Sequence, residues 1–211
     1  MNGRRGALTM DVSSTSANPL SAVEPDTTGS TGFPESGIHT FILGAGCFWC
    51  MDAVYRKTIG VSSVVSGYIG GHTPQPNYRE VCSGTTGHAE AVAVTFDAAV
   101  VPADVILDMF FTGHDPTTLN RQGYDVGTQY RSSMFYTDDA QKRVFEAALR
   151  RNQQNWDDPI VTEIVPAPTF HEAETIHQDF YARNPYEGYC QVIINPKLAK
   201  ARKYYSRWLT D

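Results

Sequence analysis

The stretch His39-Thr-Phe-Ile-Leu-Gly-Ala45 is apolar, rich in strand-forming residues, and stops at Gly46. From Cys47 to Lys57 the apolar residues return at helical spacing, as Phe48, Met51, Val54 and Tyr55. A strand must therefore hand over to a helix within a residue or two. That junction constrains the rest of the chain, because the apolar side of such a helix is best buried against the sheet its own strand belongs to.

The remaining pattern supplies the sheet. Residues 61–68 read as a second strand, closed by Gly70-Gly71, and a loop with Pro74, Pro76 and Asn77 leads to a third strand over 89–96. Residues 102–112 place Val105, Ile106, Met109 and Phe110 on one helical stripe. A polar loop over 114–131 contains Pro116, Gly123 and Gly127 but little period, and loops of that length in a compact domain tend to be functional. A fourth strand is expected over 132–136, then a helix capped by Thr137 or Asp138 and running to about Asn155. A fifth strand over 160–165, a helix over 173–184 and a basic helix or extended end over 197–209 complete the chain. The order β-α-β-β-α-β over 39–136 predicts an α+β chain with a ferredoxin-like (split βαβ) two-layer plait, extended by a C-terminal helix and strand.

Residues 1–38 are rich in Ser, Thr, Gly and Pro and lack any period, so they read as a disordered tail ahead of one catalytic domain over 39–211. No apolar run suited to a secretory signal follows Arg4 and Arg5, and Asp11, Glu24 and Asp26 argue against a transit peptide. A cytoplasmic location is expected, with organelle targeting by the tail as the alternative. With 17 Lys and Arg against 23 Asp and Glu in 211 residues, the net charge of −6 argues against nonspecific nucleic-acid binding. No apolar run approaches the roughly 20 residues that span a bilayer, so no membrane partner is expected.

Four cysteines, Cys47, Cys50, Cys82 and Cys190, are too few for a disulfide scaffold. Cys47 stands at the strand-to-helix junction, where the helix N-terminus is expected to lower its pKa and supply a thiolate. Cys50 follows one turn later on the same face and can reach Cys47 after oxidation. Half of a zinc site is the bland reading of such a pair, but neither Cys82 nor Cys190 has a companion ligand at the spacing zinc needs, and no metal is expected. A thioredoxin-like dithiol-disulfide oxidoreductase using Cys47 and Cys50 stays open as the rival. Gly44-x-Gly46 is no dinucleotide loop, since Trp49 fills the third small position. Cys82 reads as an inert core residue.

Phe48 and Trp49, between the paired cysteines, make an apolar cup suited to a soft group such as a thioether methyl. Glu90 has the same strand parity as Val92, Val94 and Phe96, so its carboxyl is expected on the buried face. Burial raises a carboxyl's pKa and suits it to general-acid work. Tyr68 and Tyr130 are candidate hydrogen-bond donors, and Asp125 can fix the loop or a catalytic water.

Gly46-Cys-Phe-Trp49, Gly67-Tyr-Ile-Gly-Gly71, Gly87-His-Ala-Glu90, His114-Asp-Pro-Thr-Thr118 and Arg121-Gln-Gly-Tyr-Asp-Val-Gly-Thr-Gln-Tyr-Arg-Ser132 resemble the signature segments of peptide methionine sulfoxide reductase A. The resemblance implies thiol-dependent reduction of methionine-S-sulfoxide, free or in proteins, without metal or flavin. It makes Cys47 the nucleophile that becomes a sulfenic acid, Phe48 and Trp49 the methyl pocket, and Glu90 the acid. It makes Tyr68 and Tyr130 hydrogen-bond donors to the oxygen and adds Asp125 through water. Either Cys190 or Cys50 would resolve the sulfenic acid, with Cys190 favoured, and thioredoxin would recycle the disulfide. The expected partners are thus thioredoxin and the oxidised substrate, and the chain is expected to be a monomer. Cys50 and a lone C-terminal cysteine depart from the commoner family pattern of a glycine after the tryptophan and two cysteines near the end.

Overall fold

The computed structural model describes residues 32–210, so the tail expected over 1–38 falls, for residues 1–31, outside the described residues. Of the remainder, Phe33 packs its ring on His39 and Phe41 at 4.8 and 5.3 Å, and Ile38 already belongs to the first strand.

In chain order the elements are β1 (Ile38–Ala45), α1 (Phe48–Arg56), β2 (Val61–Ile69), α2 (Tyr78–Cys82), β3 (Ala89–Asp97), α3 (Ala103–Gly113), β4 (Arg121–Gln122), β5 (Asp125–Val126), β6 (Ser132–Tyr136), α4 (Asp139–Gln153), β7 (Glu163–Pro166), β8 (His171–Glu172), α5 (Phe180–Arg183) and α6 (Asn195–Tyr205). The large sheet has the order β7-β6-β1-β3-β2-β8. Its four central strands, β6-β1-β3-β2, are antiparallel neighbours and form the expected plait, with β7 parallel to β6 at one edge and β8 antiparallel to β2 at the other.

Period-two alternation decides what each face carries. Phe41, Leu43 and Ala45 of β1 and Val92, Val94 and Phe96 of β3 join the main core with α1, α3 and α4. Ile69, Ala89, Ala91 and Phe135 form a smaller cluster on the other face, covered by Val165, Ala167 and Phe170. Glu90 pairs in register with Tyr68 and shares the helix-covered face. It lies near the start of β3, at the sheet end where β1 runs into α1. The topology thereby brings Glu90 to Cys47.

Three segments differ from expectation. Between β2 and β3 the chain forms the short helix α2, begun by Asn77, whose side chain accepts from the Glu80 N–H at 3.1 Å. Five residues are too few to display a period. Instead of one helix over 173–184 there is a turn at Thr175–His177 and then α5. Asp179, with φ 53°, interrupts the helix, and Gln178 is drawn away to pair with the Ser66 N–H and C=O at 2.9 and 2.8 Å. Near the C-terminus a π-helical turn over Cys190–Ile194 runs straight into α6. The polar loop over 114–131 holds the β4–β5 hairpin and a turn at Thr128–Tyr130.

Candidate active site

Cys47 is the residue before α1, and two glycines make its position accessible to the backbone. Gly46 sits at φ +81°, with the place of a Cβ only 2.6 Å from Gln122. Gly44 lets β1 close on its neighbours, since a Cβ there would lie 2.5 Å from Ser133 Oγ and 3.1 Å from the Glu90 carbonyl. The Phe48 N–H, one of the free donors of the first helical turn, donates to Glu90 Oε2 at 3.0 Å. Glu90 is 1% exposed, and burial pushes its carboxyl up to about 8, against the Phe48 hydrogen bond and with help from Asp125.

The thiols depart from the simple expectation. Burial pushes the Cys47 thiol well above its ordinary value, and Cys50 and Glu90 add to the rise, while the Tyr189 hydroxyl opposes it. Cys50 is drawn down to about 6, first by its hydrogen bond with Cys47 and then, against burial, by the Lys197 ammonium. Desolvation thus works against the low Cys47 pKa expected from the helix terminus, and the two thiols titrate as a pair. Cys190 is fully buried at the start of the π-helical turn, its thiol raised by burial, Glu187 and Cys50. Cys50 interacts with both of the other thiols, with Cys47 through a hydrogen bond and with Cys190 through charge. All four cysteines are free thiols.

An aromatic enclosure surrounds the pair. Phe48 is buried, with Tyr78 stacked on it at 6.2 Å. Trp49 is stacked face to face on Phe180 at 3.8 Å and meets the edge of Tyr189 at 5.7 Å. His177 packs on both Trp49 and Tyr78, at 5.7 and 4.2 Å. Burial lowers the His177 pKa, so the ring is neutral, and two polar atoms of the enclosure, Trp49 Nε1 and His177 Nδ1, are buried without a hydrogen-bond partner among the described residues.

Tyr68 requires correction. Its hydroxyl donates to Glu174 Oε2 at 2.8 Å, and Glu174 Oε1 accepts from the Tyr78 N–H at 2.9 Å. Tyr68 thus holds the start of α2 in place, and Tyr78 stands where Tyr68 was expected. Burial raises the pKa values of the Tyr78 and Tyr130 hydroxyls, and both lie within the electrostatic reach of Glu90, Cys47 and Cys82, which adds to the rise. Cys82 is accordingly half-buried at the margin of the site, not an inert core residue. Asp125 Oδ2 accepts from the Tyr189 hydroxyl at 2.9 Å, which ties the β4–β5 hairpin to the segment carrying Cys190.

Sequence reasoning missed Tyr78, His177, Phe180 and Tyr189. Tyr189 had a signal, adjacency to Cys190, and Tyr78 had a weaker one, the Asn77 cap before it. His177 and Phe180 had none. Among the described residues no group of three or more His, Cys, Asp or Glu side chains is arranged to hold a metal ion.

The family described as Peptide methionine sulfoxide reductase matches residues 39–208. A peptide methionine sulfoxide reductase MsrA of Paenarthrobacter aurescens (strain TC1) is 74% identical over 173 residues, 82% of this chain and 99% of that protein. Among solved structures, reduced Mxr1 of Saccharomyces cerevisiae is 35% identical with a TM-score of 0.69, covering 72% of this chain and 89% of its own. Methionine sulfoxide reductase A of Corynebacterium diphtheriae is 31% identical with a TM-score of 0.64, covering 86% and 93%.

Proposed function

The chain belongs to the peptide methionine sulfoxide reductase family and is an oxidoreductase acting on methionine sulfoxide; from that premise we propose that Cys47 attacks the S epimer, with Glu90 as the acid. The observation that carries the reading is the meeting, in one buried site, of the Cys47 thiol with a carboxyl kept protonated to about pH 8. Glu90 Oε2 is held by the Phe48 N–H, which leaves Oε1 to carry the proton. Phe48 and Trp49 receive the methyl group, while Tyr78 and Tyr130 donate hydrogen bonds to the sulfoxide oxygen.

Cys47 reacts as its thiolate, the charge passing to it from Cys50 through the thiol–thiol hydrogen bond. The sulfoxide S–O bond breaks and the oxygen finishes on Cys47 as a sulfenic acid. The substrate sulfur gains two electrons and leaves as the thioether, and Cys47 loses two. A second thiol then condenses with the sulfenic acid, giving a disulfide and water. The position of Cys50 one turn after Cys47 on α1 favours it as the resolving residue, with Cys190 taking the bond by exchange. This reverses the preference for Cys190 as the direct resolver. Because Cys190 is fully buried, its segment must move before an external dithiol such as thioredoxin can reduce the chain.

The same reading takes residues 39–211 as one catalytic domain working as a monomer in a reducing cytoplasm, where a reactive cysteine pair stays available as thiols. Asp125 acts by fixing Tyr189, and external thiol is the only reductant invoked. The experiment is chemical trapping of the sulfenic acid with a cyclic dione in a Cys50→Ser/Cys190→Ser variant given methionine-S-sulfoxide. A stable adduct on Cys47 is expected. Methionine released with no adduct on Cys47 would overturn the reading.

A further inference from the structure

Gln178 stands in the chain between two walls of the enclosure around Trp49, His177 and Phe180. Its own side chain binds the sheet. β8 pairs with β2 at Tyr68 and Gly67, and the next residue along that edge, Ser66, is met by Gln178 in place of a strand. Gln178 Oε1 accepts from the Ser66 N–H at 2.9 Å, while its Nε2 donates to the Ser66 C=O at 2.8 Å and the Ala173 C=O at 2.9 Å. The amide supplies the donor and acceptor of a strand residue and so continues the ladder by one rung. Ser66 is fully buried, so without that rung its N–H would be unpaired away from water. Beyond Gln178 the chain turns through Asp179, at φ 53°, and lays Phe180 face to face on Trp49 at 3.8 Å. A residue other than glycine persists in that region where its surroundings over-determine it. Here the turn is tied back to the helix that carries Trp49. Arg56 Nε on α1 lies 3.6 Å from Asp179 Oδ1 and 2.8 Å from Asp52 Oδ1, and Asp52 Oδ2 accepts from the Ser66 hydroxyl at 3.3 Å. Ser66 is thus a common anchor for the helix of Trp49 and for the segment packed over it.

We propose that Gln178 is a positioning residue for substrate selection: its amide, pinned to Ser66, fixes His177 and Phe180 against Trp49 and so sets how large an alkyl group on the sulfoxide sulfur the pocket admits. This rests on the reading that Phe48 and Trp49 receive the methyl group. His177 packs on both of those residues, at 5.7 Å from each ring, and Phe180 covers Trp49 at contact distance with 8° between the ring planes. With these two walls fixed, the indole keeps one orientation and the pocket one size. With the rung removed, the chain over Trp49 is released, the indole can tilt and the pocket dilates. A pocket of fixed size discriminates against one extra methylene by about 10–200-fold, and a dilated one by less. Gln178 acts through His177 and Phe180, not on the substrate.

The test is the ratio of kcat/KM for the S epimers of methionine sulfoxide and ethionine sulfoxide, the second bearing an ethyl group on sulfur, with dithiothreitol as reductant. Loss of folded enzyme lowers both values equally and leaves the ratio alone, so the ratio reads the pocket and not stability. Gln178→Met keeps the length of the side chain and removes the rung, and the ratio is expected to fall about tenfold towards unity. Gln178→Glu keeps an acceptor for the Ser66 N–H and loses the donor, so its ratio should fall by less; it carries the test if the methionine variant does not fold. Phe180→Ala should also lower the ratio, and adding Gln178→Met to it should change the ratio little, because both act through one wall. Wild-type ratios in the Gln178 variants would overturn the proposal. If wild type shows no preference for the methyl compound, or Trp49→Leu leaves the preference intact, the fault lies in the assignment of the methyl pocket, and the Gln178 proposal falls with it.

Discussion

Burial at Glu90 accounts for more of the site's behaviour than any other single group. A carboxyl that titrates at about 8 is protonated through the neutral range, so the acid-dependent rate should fall as pH rises through about 8. In Glu90→Gln the single-turnover rate is expected to drop by about 10²–10⁴ and the alkaline fall to disappear. Stability carries the same signature with a definite sign. The folded pKa lies above the unfolded one, so the native state holds a proton that the unfolded chain has lost. Stability linked to Glu90 is therefore complete below about 4.5 and is lost as pH rises through about 8. Denaturant melts of Glu90→Gln should lack that part of the decline. Tyr78 and Tyr68 separate in a similar way: Tyr78→Phe should lower kcat/KM roughly tenfold by removing a donor to the oxygen. Tyr68→Phe should mainly cost stability, about 1 kcal/mol, by removing the hydrogen bond to Glu174.

Cys47, Phe48, Trp49 and Glu90 were legible because each follows from local pattern: a strand meeting a helix, or parity along one strand. The Cys47 pKa was not, because desolvation depends on everything packed above the site, including Tyr189 from 142 residues away in sequence. Tyr78, His177 and Phe180 come from short segments without period, and only the tertiary fold gathers them around Trp49.

Among the elements, β1, β2, β3, α1 and α3 carried clear periodicity and lie where the pattern put them, and the plait follows from their order. The failures share a cause. The helix expected over 173–184 is broken where Gln178 reaches the Ser66 backbone and Asp179 turns left-handed, a long-range competition that local propensity does not register. The junction between β1 and α1 is the element-level feature most open to test. Gly46→Ala must hold an L side chain in the left-handed region, which costs roughly 1–2 kcal/mol, and its methyl also meets Gln122. The expected result is a lower melting temperature together with slower reduction, since Cys47 moves with the turn. An unchanged melting temperature would show that the junction relaxes without strain.

For the molecule as a whole, the plait supplies a rigid frame and the C-terminal segment supplies a cover. Tyr189 links that cover to Asp125 on the β4–β5 hairpin and lies edge-on to Trp49, so the lining of the substrate enclosure and the shield over Cys190 are the same piece of chain. On the proposed route, substrate reduction and outward passage of the disulfide make opposed demands on one segment, closed for the first and open for the second. Everything in this sequence of events depends on chemistry beginning at Cys47. The most direct measurement is the burst of methionine released from methionine-S-sulfoxide by stoichiometric enzyme without reductant. Wild type should release about two methionines per chain, because passage of the disulfide to Cys190 frees Cys47 for a second reduction, and Cys47→Ser should release none while keeping the wild-type fold by circular dichroism. A burst of ordinary size from Cys47→Ser would contradict the assignment outright.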